Sequence, residues 1–541
     1  MMPAITVIVA SIQVCVVAPE AKLLPSLSFN GRFGWSVDVG PDRIVVGAPD
    51  EFSPLGGLQG VAYVFDRVGG AWVETAILAD GKTNTPTSGD FGGSISLDGS
   101  QLAIGAVDAD QAFVFKNNGV AWYEEAILHQ PSGIGFGYAV DIVGDTLIVG
   151  DPAGFYLAPG SKSYQGRVHV YVRGPSGWAI QSTVHSHHAD FAGERAFGWC
   201  VALVDDSLFI GSPGAYGASP DSGAVYVYER SGNTWALRQK LFAGDGGPDQ
   251  AFGWSLAANS GRLAVGAIMA TASTSVYSGA VYVFSDTGNG WIEQQKLISP
   301  SHTSGACIPT LGCFGPWAGI SVAIDGGSLA FGERPLVHLF SLNGSRWINE
   351  LEFTDPEYYS PPSNHGHSMA MHGTTLAIGA PFNPGVVYVD RIQGNNVQPR
   401  FYCIPKQVGH CNPRIFDVGQ PSVSGLVPGK KYEIWAYDIR DSVKAMLFYS
   451  LSGSAATPFL GGTLCLNPPL KRAALVDTGG GPSPPCNGVP RYDFNAYIQS
   501  GKDPALVPGQ QVWFQYWYRE PSFLPPNNVG LTAGLSAVIC Q

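Results

Sequence analysis

The feature that most constrains this chain is a pair of glycines, 13 residues apart, that occurs seven times. Aligned on them, the copies read FGWSVDVGPDRIVVGAP, FGGSISLDGSQLAIGAV, FGYAVDIVGDTLIVGDP, FGWCVALVDDSLFIGSP, FGWSLAANSGRLAVGAI, AGISVAIDGGSLAFGER and HGHSMAMHGTTLAIGAP. The first glycines are Gly34, Gly92, Gly137, Gly198, Gly253, Gly319 and Gly366; the second are Gly47, Gly105, Gly150, Gly211, Gly266, Gly332 and Gly379. The 13-residue interval never changes, while successive copies lie 45 to 66 residues apart. A rigid unit separated by variable loops is the signature of stacked structural repeats, which let a stretch longer than an ordinary domain share one enlarged core.

Each copy alternates apolar and polar residues on either side of a Gly/Asp/Asn/Ser turn, which predicts a β-hairpin. A third strand follows, as in GVAYVFDR, GRVHVYVR and GAVYVYER. A fourth, led by tryptophan, comes next, as in AWVETAIL, TWALRQKL and GWIEQQKL. Four antiparallel strands repeated around a ring make a β-propeller blade. The fourth strand is present only six times. Ahead of the first copy, PEAKLL matches the tail of WALRQKL, so Glu20 to Leu24 is expected to complete the seventh blade and close the ring, removing an exposed sheet edge.

These motifs resemble FG-GAP repeats, the family that includes the integrin α-subunit propeller, over roughly residues 19–395. In the calcium-bearing branch a DxDxDG-type loop joins the two glycine strands. Here the turns are VGPDR, LDGSQ, VGDT, VDDS, NSGR, IDGGS and HGTT, too poor in oxygen ligands for a cation that takes six to eight. The resemblance is therefore to the short-hairpin, calcium-free bacterial type, with no metal and no cofactor. Asp42, Asp98, Asp145, Asp205, Asp206 and Asp325 are expected to form the turns themselves.

Strand alternation assigns the loops to faces. The turns between strands one and two and between three and four are tight. The other connections are long: 50–60, 151–166, 212–223 and 267–279 within blades, and 79–90, 185–196 and 299–316 between them. All of these belong to one face, where a ligand site is expected. Its candidate contacts are Phe155, Tyr156, Tyr164, Tyr216, Tyr277 and Tyr359, with His187 and His365 from the motifs HSHHAD and NHGH. The histidines come from different blades, which argues against a metal site. Cys200 occupies a position held elsewhere by Ser or Ala and reads as an inert thiol.

Charged residues make up 13% of the chain and the net charge is −12, which excludes a phosphate-binding surface and so nucleic acid. There is no nucleophile elbow, HExxH, P-loop or dinucleotide fingerprint. Asp151 and Glu333 depart from the repeat at its GAP alanine, yet a glycosidase needs two carboxylates to converge. The expectation is a protein without catalytic activity.

Cysteine spacing points to an oxidising compartment: Cys307 with Cys313 and Cys403 with Cys411 are close pairs, and Cys465 with Cys486 bracket a Pro/Gly loop. Residues 1–18 form an apolar run of signal-peptide length, and no later span could cross a membrane as a helix. Residues 396–541 show strand patterns at KYEIWAYDI, KAMLFYSLSG, QVWFQYWYRE and LSAVIC, so a small disulfide-stapled β-sandwich is expected. Its segments resemble a C-terminal module of secreted planctomycete-type proteins. The expected function is a secreted or cell-surface propeller that binds a glycan or protein through its long-loop face. The alternatives are a subunit of an extracellular filament, sheath or matrix, in contact with copies of itself, and a polysaccharide-cleaving enzyme.

Overall fold

The computed structural model describes residues 21–539 apart from 28–30, 55–58, 82–88, 131–134, 153–165, 187–195, 272–277, 300–305, 309–311, 315–316, 335, 355–363, 383–384, 393–400, 403–413, 419–431, 438, 441, 460–461, 480–487, 509, 520–528 and 533. The chain divides into two compact units, one running from Ala18 to Gly394 and the other carrying Asn395–Gln541.

The first unit is seven four-stranded antiparallel sheets. Blade 1, for example, consists of Ser36–Val39, Arg43–Ala48, Val61–Val68 and Ala71–Leu78 in sequential order. Blades 2 to 6 repeat this order. Blade 7 has three consecutive strands, Ser368–His372, Thr375–Ala380 and Val386–Arg391, and takes its outer strand from Ala21–Leu23. The register is Ala21 opposite Val389 and Leu23 opposite Val387. The ring is therefore closed by the detached N-terminal strand, as its likeness to WALRQKL suggests.

The two middle strands of each blade are almost wholly buried because both sheet faces pack on neighbouring blades. The outer strands of blades 1 to 6 pair with their neighbours through a bulge at the same point, such as Val64/Phe65 and Val283/Phe284. A bulge adds local twist and re-aims the strand beyond it. The outer-strand tryptophan then meets a third-strand arginine: Arg67 over Trp72, Arg173 over Trp178 and Arg230 over Trp235, all within 4.8 Å of the ring centre.

The two repeating glycines meet between blades. A Cβ on Gly47 would lie 2.0 Å from the carbonyl oxygen of Gly92 in blade 2, and one on Gly379 would lie 2.2 Å from that of Gly34. Beside this contact, Ser36 Oγ donates to the Gly92 carbonyl at 2.7 Å. Ser94, Cys200, Ser255, Ser321 and Ser368 make the same bond to Gly137, Gly253, Gly319, Gly366 and Gly34. Six hydrogen bonds thus run around the ring, and blade 3, with Ala139, lacks one. The invariant 13-residue spacing keeps donor and contact glycine together on adjacent strands, Ser36 opposite Gly47.

The second unit contains a sheet ordered Phe401–Tyr402, Gly534–Val538, Gln511–Arg519, Lys444–Ser450, Lys471–Asp477, and a three-stranded sheet of Arg414–Val418, Glu433–Tyr437 and Arg491–Asp493. Ile415 and Ile434 from the smaller sheet pack with Leu447, Tyr449, Phe514 and Tyr516 from the larger. Tyr516 donates to the Ile434 carbonyl at 2.9 Å across that core. A six-residue helix, Phe494–Gln499, caps it, with Asp493 accepting from Ala496 N. Cys465 is disulfide-bonded. The backbones of Cys307 and Cys313 lie directly opposite in a short hairpin of the first unit. Cys403, Cys411 and Cys486 lie outside the described residues. Among the described residues no helix is long and apolar enough to cross a membrane.

Candidate functional site

Each inner strand enters from the long-loop face by the same kink. The residue before the FG position has a positive φ in every blade, among them Arg32 at 58°, Asp90 at 56°, Trp317 at 54° and Asn364 at 53°. The FG glycine two residues on is also left-handed, from 81° at Gly366 to 93° at Gly137 and Gly198. Only glycine adopts that conformation without strain.

The residue after this glycine is therefore held at the mouth of the central channel, where neighbouring blades come closest. In blade order these residues are Trp35, Gly93, Tyr138, Trp199, Trp254, Ile320 and His367. They touch across blades: Tyr138 to Trp199 at 4.5 Å between ring centres, Trp199 to Trp254 at 4.8 Å, and Trp35 to His367 at 4.4 Å. Two aromatic arcs result, one across blades 3 to 5 and one joining blades 7 and 1. Gly93 and Ile320 interrupt them. The sequence signal for them is an aromatic residue directly after FG in four of seven copies.

The mouth is electrostatically uneven. On blades 1 and 2, Arg32 pairs with Asp50 at 2.6 Å and lies 4.9 Å from the Trp35 ring centre. Burial pushes the nearby Asp90 carboxyl up to about 6, with Asp108 and Asp50 adding to the rise and Arg32 opposing it. On blades 6 and 7, Arg334 lies 5.0 Å from the Trp317 ring centre and its Nη2 donates to His367 Nδ1 at 2.8 Å. That bond requires a neutral imidazole with its proton on Nε2. Burial, then the charges of Arg334 and Arg32, hold His367 down to about 3, and burial lowers Arg334 to about 10.

Below the mouth, three inner strands carry polar side chains where the other four have alanine. Asp38 accepts from Leu97 N of blade 2 at 2.6 Å, Ser96 from Ile142 N of blade 3, and Asp141 from Leu203 N of blade 4 at 2.6 Å. Ser96 Oγ also donates to Asp141 at 2.8 Å. Each side chain caps an N–H of the next blade's inner strand. Burial raises Asp38 to about 7 and Asp141 to about 6 against these bonds.

The expected contact residues fare unequally. Tyr216 is 54% exposed in the long connection of blade 4, and its carbonyl accepts from Lys240 Nζ at 2.8 Å. Phe155, Tyr156, Tyr164, Tyr277, Tyr359 and His187 lie outside the described residues. His365 is a correction: it is only 2% exposed and packs edge-on against Tyr388 at 5.4 Å. It fills the phenylalanine position of its copy, as Phe33 does against Tyr63 and Phe252 against Tyr282. It is core, not a surface contact.

The two carboxylates that replace GAP alanines are each held within their own blade. Asp151, fully buried, accepts from Arg167 Nε at 2.7 Å and lies 3.7 Å from His169 Nε2. Glu333 meets His338 Nε2 at 2.6 Å. Among the described residues no three His, Cys, Asp or Glu side chains gather as a metal site would require. Cys200 donates to Gly253, and burial pushes its thiol upward, far from thiolate chemistry.

The FG-GAP repeat model matches residues 187–228 and 235–284, which contain blade 4 and three strands of blade 5. The matched blades are FG-GAP repeats within a seven-bladed β-propeller. The kink and the paired glycines of blades 4 and 5 recur in the other five blades, and the interblade bond recurs in all of them but blade 3. No curated protein matches the chain. Similar solved structures include the RRP9 WD40 repeats, 11% identical with a TM-score of 0.45 over 68% of this chain and 96% of that one. Virginiamycin B lyase from Staphylococcus aureus is 10% identical, with a TM-score of 0.44 over 69% and 99%. U3-55K is 11% identical, with a TM-score of 0.43 over 67% and 97%.

Proposed function

We propose that this FG-GAP propeller is a non-enzymatic interaction module at the cell exterior whose long-loop face holds a protein partner over the mouth of the central channel. The observation that carries this reading is the arc Tyr138–Trp199–Trp254. At corresponding positions of successive blades, on the face that also bears the long loops, the buried Trp199 packs between Tyr138 and Trp254, which are both part-exposed. Rigid aromatics that lose little entropy on binding are the residues that dominate protein interfaces. The reading without catalysis is supported by Asp151 and Glu333 each being held by a partner in its own blade, Arg167 and His338.

Photo-crosslinking in the producing cells tests this. A benzophenone side chain at position 138 reports on the mouth. One at Val120, 93% exposed in a tight turn of the opposite face, serves as control. The expected result is a cross-linked protein adduct from position 138 alone. Equal adducts from both positions, or none from 138, would refute the assignment of that face. An adduct containing only this chain would make the partner a second copy, and an adduct to polysaccharide would make it a glycan.

A further inference from the structure

Blade 6 departs twice from the GAP element of the repeat. Where other copies read GAP, GAV, GDP, GSP or GAI, it reads GER. Glu333 is accounted for by His338. Arg334 is not. The same position holds Pro49, Val107, Pro152, Pro213, Ile268 and Pro381 in the other blades, so the fold itself does not call for a cation there. Nor does Arg334 stabilise the unit through an ion pair, because it meets no carboxylate among the described residues. Its Nε is buried with no hydrogen-bond partner among them, and the acceptor that its Nη2 finds is an uncharged imidazole. A desolvated guanidinium in such surroundings costs stability until an anion compensates it.

Resting on the interaction reading above, we infer that Arg334 receives a single carboxylate side chain of the protein partner at the channel mouth. Three further observations specify that group. First, Trp317 backs one face of the guanidinium and His367 fixes Nη2, so the planar fork is oriented and only its remaining donors are uncommitted. An oriented fork suits a carboxylate. Second, Arg32, the other arginine whose charge reaches His367, is already balanced by Asp50 at 2.6 Å. Of these two arginines at the mouth, Arg334 is the one that meets no carboxylate among the described residues. Third, the chain has a net charge of −12, which repels a polyanion at long range but not a partner with one acidic residue among aromatic or apolar contacts. Asp90 and Asp108 on the blade 2 side strengthen that bias.

The intact chain, labelled at histidine Cε1, is titrated with acetate at constant ionic strength near neutral pH, with acetamide as the uncharged control. His367 is assigned by its loss in His367→Gln. A carboxylate on Arg334 cancels one of the two charges that hold His367 down, so its resonance should shift saturably with acetate and not with acetamide. In Arg334→Gln the shift should vanish or require about tenfold more acetate, the loss expected for one charge-assisted pair. Arg334→Lys, which keeps the charge and loses the fork, should fall between the two. A wild-type resonance that does not saturate, or an identical response in Arg334→Gln, would overturn the proposal. Because the cross-link from position 138 is read separately, failure of the carboxylate pocket is distinguishable from failure of the face as an interface.

Discussion

Glu333 and His338 meet at 2.6 Å in blade 6, at the two positions where Asp151 and His169 stand in blade 3. Blades 1, 5 and 7 have alanine and tyrosine there, Ala48 with Tyr63, Ala267 with Tyr282 and Ala380 with Tyr388. Acid and histidine therefore replace alanine and tyrosine together. A buried ionisable pair is often no more stabilising than the apolar pair it replaces, whereas losing one partner strands the other. Asp151→Ala alone should lower propeller stability by about 3 kcal/mol. Asp151→Ala combined with His169→Tyr should recover most of it, because Phe136 already packs edge-on against residue 169. A thermal-unfolding double-mutant cycle checks this, and additive losses would refute the coupling.

The interblade glycine contact predicts the cost of a single methyl group. Gly47→Ala places a Cβ 2.0 Å from the Gly92 carbonyl, so blades 1 and 2 must separate. The expected penalty is about 3 kcal/mol or more, read as a lower melting temperature. Gly69→Ala, at a tight turn with nothing within 4 Å, meets no such obstacle. Its cost arises only from the positive φ and should be about 1 kcal/mol.

Blade 3 offers the opposite experiment. Ala139 is the one position in the ring that cannot donate to the next blade. Ala139→Ser supplies the hydroxyl that Ser36 and Ser94 already use, and should stabilise the propeller by about 1 kcal/mol. A melting temperature that falls would show that blades 3 and 4 are set differently from the rest.

Stability should depend on pH through Asp38. Its folded carboxyl is pushed up to about 7 by burial, above the ordinary value, so the folded chain binds more protons than the unfolded one between those limits. The contribution is therefore fully present below about pH 4 and is lost as pH rises through 7. Relative to Asp38→Asn, the wild type should lose melting temperature steadily from pH 4 to 8, by a few degrees. Asp141, raised to about 6, should show the same trend over a narrower range. Parallel pH profiles would mean that the Leu97 and Val39 N–H bonds outweigh desolvation.

Cys200 should behave as a donor, not a nucleophile. Iodoacetamide should leave it unmodified in the folded chain and label it on denaturation. Cys200→Ser keeps the bond to Gly253 and should be tolerated, whereas rapid native-state alkylation would contradict its burial.

The ring was legible in the sequence because its causes are local and repeated. A glycine needed for a positive φ, another needed for carbonyl approach and a small donor between them leave the same mark seven times. The fragment at Ala21–Leu23 was legible because one copy lacked what the fragment supplies. The mouth was less so. Trp35, Tyr138, Trp199 and Trp254 follow the motif directly, but Gly93, Ile320 and His367 at the same position break the pattern that would mark them. His365 has the polarity of its loop neighbours, yet it occupies the buried position of Phe33 and Phe252 in the aligned copies. The Arg334–His367 bond joins blades 6 and 7, and a contact between two degenerate copies leaves no periodic trace.

The closure of the ring also has a mechanical consequence. Ala21–Leu23 runs antiparallel to Val387–Val389, so the segments leading into and out of the propeller emerge at the same end of that pair. Tension applied between those two flanks peels the pair apart bond by bond instead of shearing all its bonds at once. The seam of blade 7 is then the point at which a pull on the chain opens the ring, while the six blades hydrogen-bonded within one continuous stretch stay shut.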